Sequence, residues 1–104
     1  MNYMSEKETF RSIIQSENPV LVDFTATWCG PCKMLSPILE QLHERMGESV
    51  RIIKIDVDKN PALSAELQIS GVPTLILYKQ GKQLWRQSGV VPLSTLQQTI
   101  QSHL

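Results

Sequence analysis

At 104 residues, 41% of them hydrophobic, the chain is long enough to bury one core and too short for two, so residues 1–104 are expected to form a single domain. Ten basic side chains balance ten acidic ones, so no net field favours nucleic acid or an anionic membrane, and any partner has to be recognised locally. Glu6, Lys7, Glu8, Arg11 and Glu17 interrupt the first twenty residues, which lack the apolar stretch of a signal peptide or a membrane span; the expected location is cytoplasmic.

In chain order, Ser5 with Glu8 three residues later has the form of a capping box ahead of a helix to about Ser16. Val20 to Phe24 is short, nearly all apolar and rich in β-branched residues, as in a strand covered on both faces. A longer helix is expected from near Cys32 to Gly47, with Leu35, Ile38, Leu39, Leu42 and Met46 at helical spacing and Pro37 inside it, where a bend is expected. Val50 to Val57 reads as a second strand. Asn60-Pro61 has the cap and first-turn pairing of a short helix through Leu67. Thr74 to Tyr78 reads as a third strand, Gln80-Gly81 as a turn, and Lys82 to Ser88 as a more polar edge strand. A last helix starts around Pro92 and carries Leu93, Leu96 and Ile100 toward the core. Crossover units followed by one hairpin give an α/β fold: a central mixed sheet of four to five strands with about four helices on both faces.

Two cysteines are too few for a disulfide scaffold, and a bridge between Cys29 and Cys32 closes so short a loop that it removes little entropy from the unfolded chain. Chemistry is the better reason for the pair. Cys29 follows a buried strand and precedes a helix whose first N–H groups are unpaired and carry partial positive charge, which favours a thiolate. Gly30 allows a tight turn, Pro31 stiffens it without losing a needed donor, and Cys32 is held one turn behind, placed to attack a mixed disulfide on Cys29. A structural zinc site would need a second pair of ligands, and His43 and His103 each stand alone; inert buried thiols fit poorly with a helix start framed by Gly and Pro.

Trp28-Cys29-Gly30-Pro31-Cys32, preceded by Val22-Asp23-Phe24 and followed by Val72-Pro73-Thr74, with Pro37, Lys54, Gly81 and Gly89 at matching intervals, resembles the thioredoxin family over nearly the whole chain. The resemblance implies the thioredoxin fold and reversible dithiol–disulfide exchange. An aspartate in a doubly covered strand is costly if ionised without partners. An ion pair with Lys54 would be enough to satisfy Asp23; the resemblance implies that Asp23 also moves protons for Cys32, and burial is expected to raise its pKa for that role. The resemblance also implies a cis bond before Pro73, a Val72 backbone that pairs with an extended substrate, and an apolar groove completed by Trp28, Gly71, Gly89 and Val90. Thr25 stands where the family often has tryptophan and Thr27 where an acidic residue is common. The family's first strand is expected to be short or absent, and Trp85 to be packing.

Three functions follow as expectations. The first is a monomeric general protein-disulfide reductase, recharged from NADPH by thioredoxin reductase, serving ribonucleotide reductase, peroxiredoxin and methionine sulfoxide reductase. No cofactor is expected beyond the Cys29–Cys32 disulfide, since no Gly-x-Gly-x-x-Gly segment occurs. The second is a dedicated reductant, or an oxidant of exported proteins. The third is a binding or chaperone-like subunit that does not use the thiols.

Overall fold

The structure is a computed structural model that describes residues 2–4 and 9–104. Five strands, β1 (Asn2–Tyr3), β2 (Val20–Thr25), β3 (Arg51–Asp56), β4 (Thr74–Lys79) and β5 (Lys82–Ser88), form one sheet in the order β1-β3-β2-β4-β5. β3 pairs in parallel with β1 and β2, and β4 pairs antiparallel with β2 and β5. β2 thus has hydrogen-bonded neighbours on both edges, and all six of its residues are buried. Its apolar run has the composition of such a central strand.

Alternation along the strands divides the core. Leu21, Ile52, Leu75 and Leu77 point to the face covered by α2 (Gly30–Met46) and α4 (Leu93–Gln101), where they meet Leu35, Leu39, Leu42, Leu96 and Ile100. Val20, Val22, Phe24, Ile53 and Ile55 point the other way, to Ile13 and Ile14 of α1 (Phe10–Ile14) and to Leu63 of α3 (Pro61–Glu66). Trp85, on the edge strand β5, is half-buried against the α2–α4 cluster, so packing accounts for it.

Several boundaries differ from those read in the sequence. The Ser5–Glu8 capping box lies outside the described residues. The described first helix is instead capped by Thr9, which has extended backbone angles and whose side chain accepts the Ser12 amide, and it ends at Ile14. The short first strand is present: Asn2 and Tyr3 pair with Ile53 and Lys54. α2 begins at Gly30, two residues before Cys32, because the Cys29 sulfur itself accepts the Cys32 amide and so takes the cap position; the helix then continues across the exposed Pro37. Asn60 precedes α3 but does not cap it with its side chain, which donates to the Asp56 carbonyl at 2.9 Å.

The β4–β5 hairpin turns through Gln80 and Gly81, both at positive φ (52° and 80°), the arrangement whose twist matches that of the strands it joins. The two amides donate to the carbonyls of Ser16 and Ile14 at 2.9 and 2.8 Å, so the hairpin tip is stitched to the end of α1. Leu39 is fully buried between α2 and the sheet, and its truncation leaves a cavity that backbone elements on either side hold open. Leu39→Ala is expected to destabilise the protein by about 2–5 kcal/mol, read as a lower urea midpoint at unchanged slope.

Candidate active site

The site forms where β2 leaves the sheet and α2 begins. Cys29 is the N-cap of α2, with extended backbone angles, and Pro31 occupies the first turn, where its missing N–H costs nothing. Cys29 and Cys32 are joined by a disulfide. The Cys32 amide donates to Cys29 Sγ at 3.1 Å, so the unpaired donors and positive end of the helix bear on this sulfur in particular. A thiolate formed there on reduction is stabilised before any substrate arrives.

The attacking and resolving positions do not differ in exposure in the disulfide form: Cys29 and Cys32 are 3% and 6% exposed. Cys29 packs with Ala26 and Val72, and its sulfur lies 3.5 Å from the Val72 carbonyl oxygen, while the neighbouring Trp28 and Gly30 take the surface. What distinguishes the two sulfurs is the amide donated to Cys29.

The opposing loop brings Gly71, Val72 and Pro73 to the cysteines. The Val72–Pro73 bond is cis. Gly71 is tied down by the Thr74 hydroxyl, which donates to its carbonyl at 2.6 Å and also meets Ser88 Oγ at 2.9 Å. The Gly89 amide donates to the Pro73 carbonyl at 2.9 Å and so joins the end of β5 to the same loop. Val90 is exposed and reaches this edge through its bond to Gly89. Trp28 is 68% exposed, and its indole N–H donates to Asp58 Oδ2 at 2.8 Å. Asp58 was not singled out in the sequence; it follows Asp56, whose carboxylate accepts the Asp58 and Lys59 amides and fixes the turn after β3. Thr27 is exposed, whereas Thr25 is buried at the end of β2.

Asp23 follows Leu21 on the α2 side of β2 and is 3% exposed, with Oδ1 buried and unpartnered. Burial pushes its pKa from 3.8 up to about 6, and the positive charge of Lys54 opposes the rise. Lys54 stands opposite Asp23 in the β2–β3 register, but the expected ion pair does not form; among the described residues the ammonium donates instead to Ser36 Oγ at 3.3 Å. Among the same residues, no group of three or more His, Cys, Asp or Glu side chains gathers to hold a metal ion. The Thr99 carbonyl accepts a hydrogen bond from His103 Nδ1 (2.8 Å) just beyond α4, and His43 is exposed.

Below about pH 4 the Asp23 carboxyl is protonated in both folded and unfolded chains and costs nothing. Between about pH 4 and 6 the folded protein keeps a proton that the unfolded chain releases, so stability falls as pH rises, and above 6 the cost is complete at about 3 kcal/mol. Asp23→Asn is therefore expected to be more stable than the parent at pH 8 by up to about 3 kcal/mol, with the advantage shrinking toward pH 4. Urea unfolding of the two oxidised proteins across this range measures the difference, and parallel curves would refute the assignment.

A family model, Thioredoxin, matches residues 2–102. The chain is 44% identical over 102 residues to the thioredoxin-like protein slr0233 of Synechocystis, covering 94% of this chain and 97% of that one. It is 41% identical over 108 residues to thioredoxin Y, chloroplastic, of rice, covering 100% of this chain and 64% of that protein. Among solved structures, the thioredoxin of Malassezia sympodialis superposes with a TM-score of 0.86 at 34% identity, over 98% of this chain and 91% of that one. With the disulfide at the start of α2 and this sheet order, the chain belongs to the thioredoxin family and is a thiol–disulfide oxidoreductase acting on protein disulfides.

Proposed function

We propose that this chain is a general protein-disulfide reductase of a compartment that keeps thiols reduced, the cytoplasm, acting as a monomer and recharged from NADPH by a thioredoxin reductase. Its substrates are proteins that form a disulfide in each turnover, of the ribonucleotide reductase, peroxiredoxin and methionine sulfoxide reductase types. The observation that carries this reading is the amide donated by Cys32 to Cys29 Sγ at the helix cap, which makes one sulfur the better anion. The reducing direction is supported by Gly30-Pro31, the dipeptide of the family resemblance.

In the reduced protein the Cys29 thiolate attacks one sulfur of a substrate disulfide. A Cys29–substrate disulfide forms and the other substrate sulfur leaves as a thiolate. The substrate segment lies along Gly71-Val72, where strand-like hydrogen bonds to the Val72 backbone align it, with Trp28, Pro73, Gly89 and Val90 around it. Cys32 then passes its proton to Asp23 and attacks Cys29 Sγ. The second substrate sulfur leaves, two electrons have passed to the substrate, and the Cys29–Cys32 disulfide of the structure is restored. Asp23 suits the proton step because a carboxyl near pKa 6 accepts a proton more readily than an ordinary one.

NADPH consumption coupled through a thioredoxin reductase to reduction of a protein disulfide tests the reading. Cys29→Ser and Cys32→Ser are each expected to bring turnover to background, and Cys32→Ser to accumulate a covalent substrate adduct on Cys29 that dithiothreitol releases. Inactivity with every reductase, together with a reduction potential in the range of oxidants, would overturn the proposal. Survival of a cellular function in the double serine variant would favour a thiol-independent binding role.

A further inference from the structure

Asp23 and Lys54 are paired residues of neighbouring parallel strands, with their side chains on the α2 side of the sheet, a placement in which opposite charges ordinarily close on each other. They do not close. The Lys54 ammonium is drawn to Ser36 Oγ, 3.3 Å away, on the helix that covers the strands, and it also lies 5.8 Å from the centre of the Tyr3 ring of β1. Asp23 Oδ1 is left buried with no hydrogen-bond partner. Ser36 comes four residues after Cys32 in α2, so the hydroxyl and the second sulfur lie on neighbouring turns of one helix face.

We propose that Ser36 is a positioning residue whose hydroxyl accepts a hydrogen bond from Lys54 and holds the ammonium off Asp23, leaving that carboxyl free to take the proton of Cys32. The inference rests on the reading of Asp23 as proton acceptor given above. A contact ion pair would stabilise the carboxylate and make it a poor base, whereas an ammonium held at a distance offsets only part of the cost of burial. Among the described residues, the titratable groups on this side of the sheet include Lys54 and Asp56 from β3, Tyr3 from β1, the exposed Glu40 and His43 further along α2, and Cys32 once the disulfide is reduced; β4 contributes the apolar Leu75 opposite Asp23. Asp56 Oδ1 holds the Asp58 and Lys59 amides, and among the described residues the side-chain hydrogen bond of Lys54 goes to Ser36 Oγ.

Ser36→Ala removes the acceptor while keeping a good helix former, and Ser36→Thr keeps the hydroxyl. The readout is the titration of the Asp23 side-chain carboxyl followed by carbon-13 NMR in the full-length oxidised protein, alongside the pH profile for resolution of a Cys29 mixed disulfide. In Ser36→Ala the Asp23 midpoint is expected to fall by about one pH unit as Lys54 swings onto the carboxylate, with Ser36→Thr close to the parent. The acid limb of the resolution profile should move by the same amount. An unchanged midpoint in Ser36→Ala, or an equal fall in Ser36→Thr, would overturn the proposal. If the midpoint falls as expected but the resolution profile stays in place, Ser36 is upheld as the residue that positions Lys54, and it is the proton role of Asp23 that fails.

Discussion

The central strand β2 is closed on every side: β3 and β4 take its edges, and helices cover both of its faces. A strand in that position cannot end in the core, and its chain has to emerge where a helix can receive it. In this protein it emerges through Ala26 and Thr27 into the first turn of α2, so the residue after Trp28 becomes the cap of a seventeen-residue helix. The positive end of that helix and its unpaired amides are there for reasons of folding. A sulfur placed at the cap acquires the character of an anion site without any further charged side chain.

The same closure makes polar groups on β2 expensive, and the fold concentrates them at one end. Toward the start of the strands Leu21 and Ile52 meet the leucines of α2, whereas two residues further on Asp23 and Lys54 occupy the same face. The sheet has to satisfy them or leave them perturbed. Lys54 finds Ser36 and the Tyr3 ring, and Asp23 finds no partner for Oδ1. Burying an ionisable carboxyl costs stability and raises its pKa to about 6, beside the helix that carries Cys32.

Those features that depend on periodicity and on local chemistry were legible in the sequence. The apolar run of Val20 to Phe24 identified the buried strand, the leucine spacing identified α2, and the Gln80-Gly81 pair identified the hairpin turn whose positive φ values the structure shows. The cysteine pair at a helix start was legible for the same reason. Features that depend on which side chain wins a contest between partners were not. Asp23 and Lys54 invite an ion pair on paper because their strands and their charges match. Only the position of Ser36, set by the packing of α2 across the sheet, shows that Lys54 is taken. Asp58 was missed for a similar reason: it reads as one polar residue in a polar turn until folding sets its carboxylate 2.8 Å from the Trp28 indole nitrogen, thirty residues away in sequence.

The two sulfurs show how far exposure alone misleads. In the disulfide both cysteines are nearly covered, and Cys29 is no more accessible than Cys32. Roles in exchange depend on which sulfur carries negative charge when the bond is reduced, and on which one a substrate backbone can approach. The helix bears on the first, because the Cys32 amide points at Cys29 and a reciprocal donor does not reach Cys32 among the described hydrogen bonds. The loop bears on the second, because the Val72 carbonyl lies against Cys29 Sγ. Both arrangements are held by parts of the molecule that do no chemistry: the cap geometry by the closure of β2, and the loop by the Thr74 hydroxyl and the Gly89 amide. A substitution at either anchor is thus a change to the active site, even though neither residue touches sulfur.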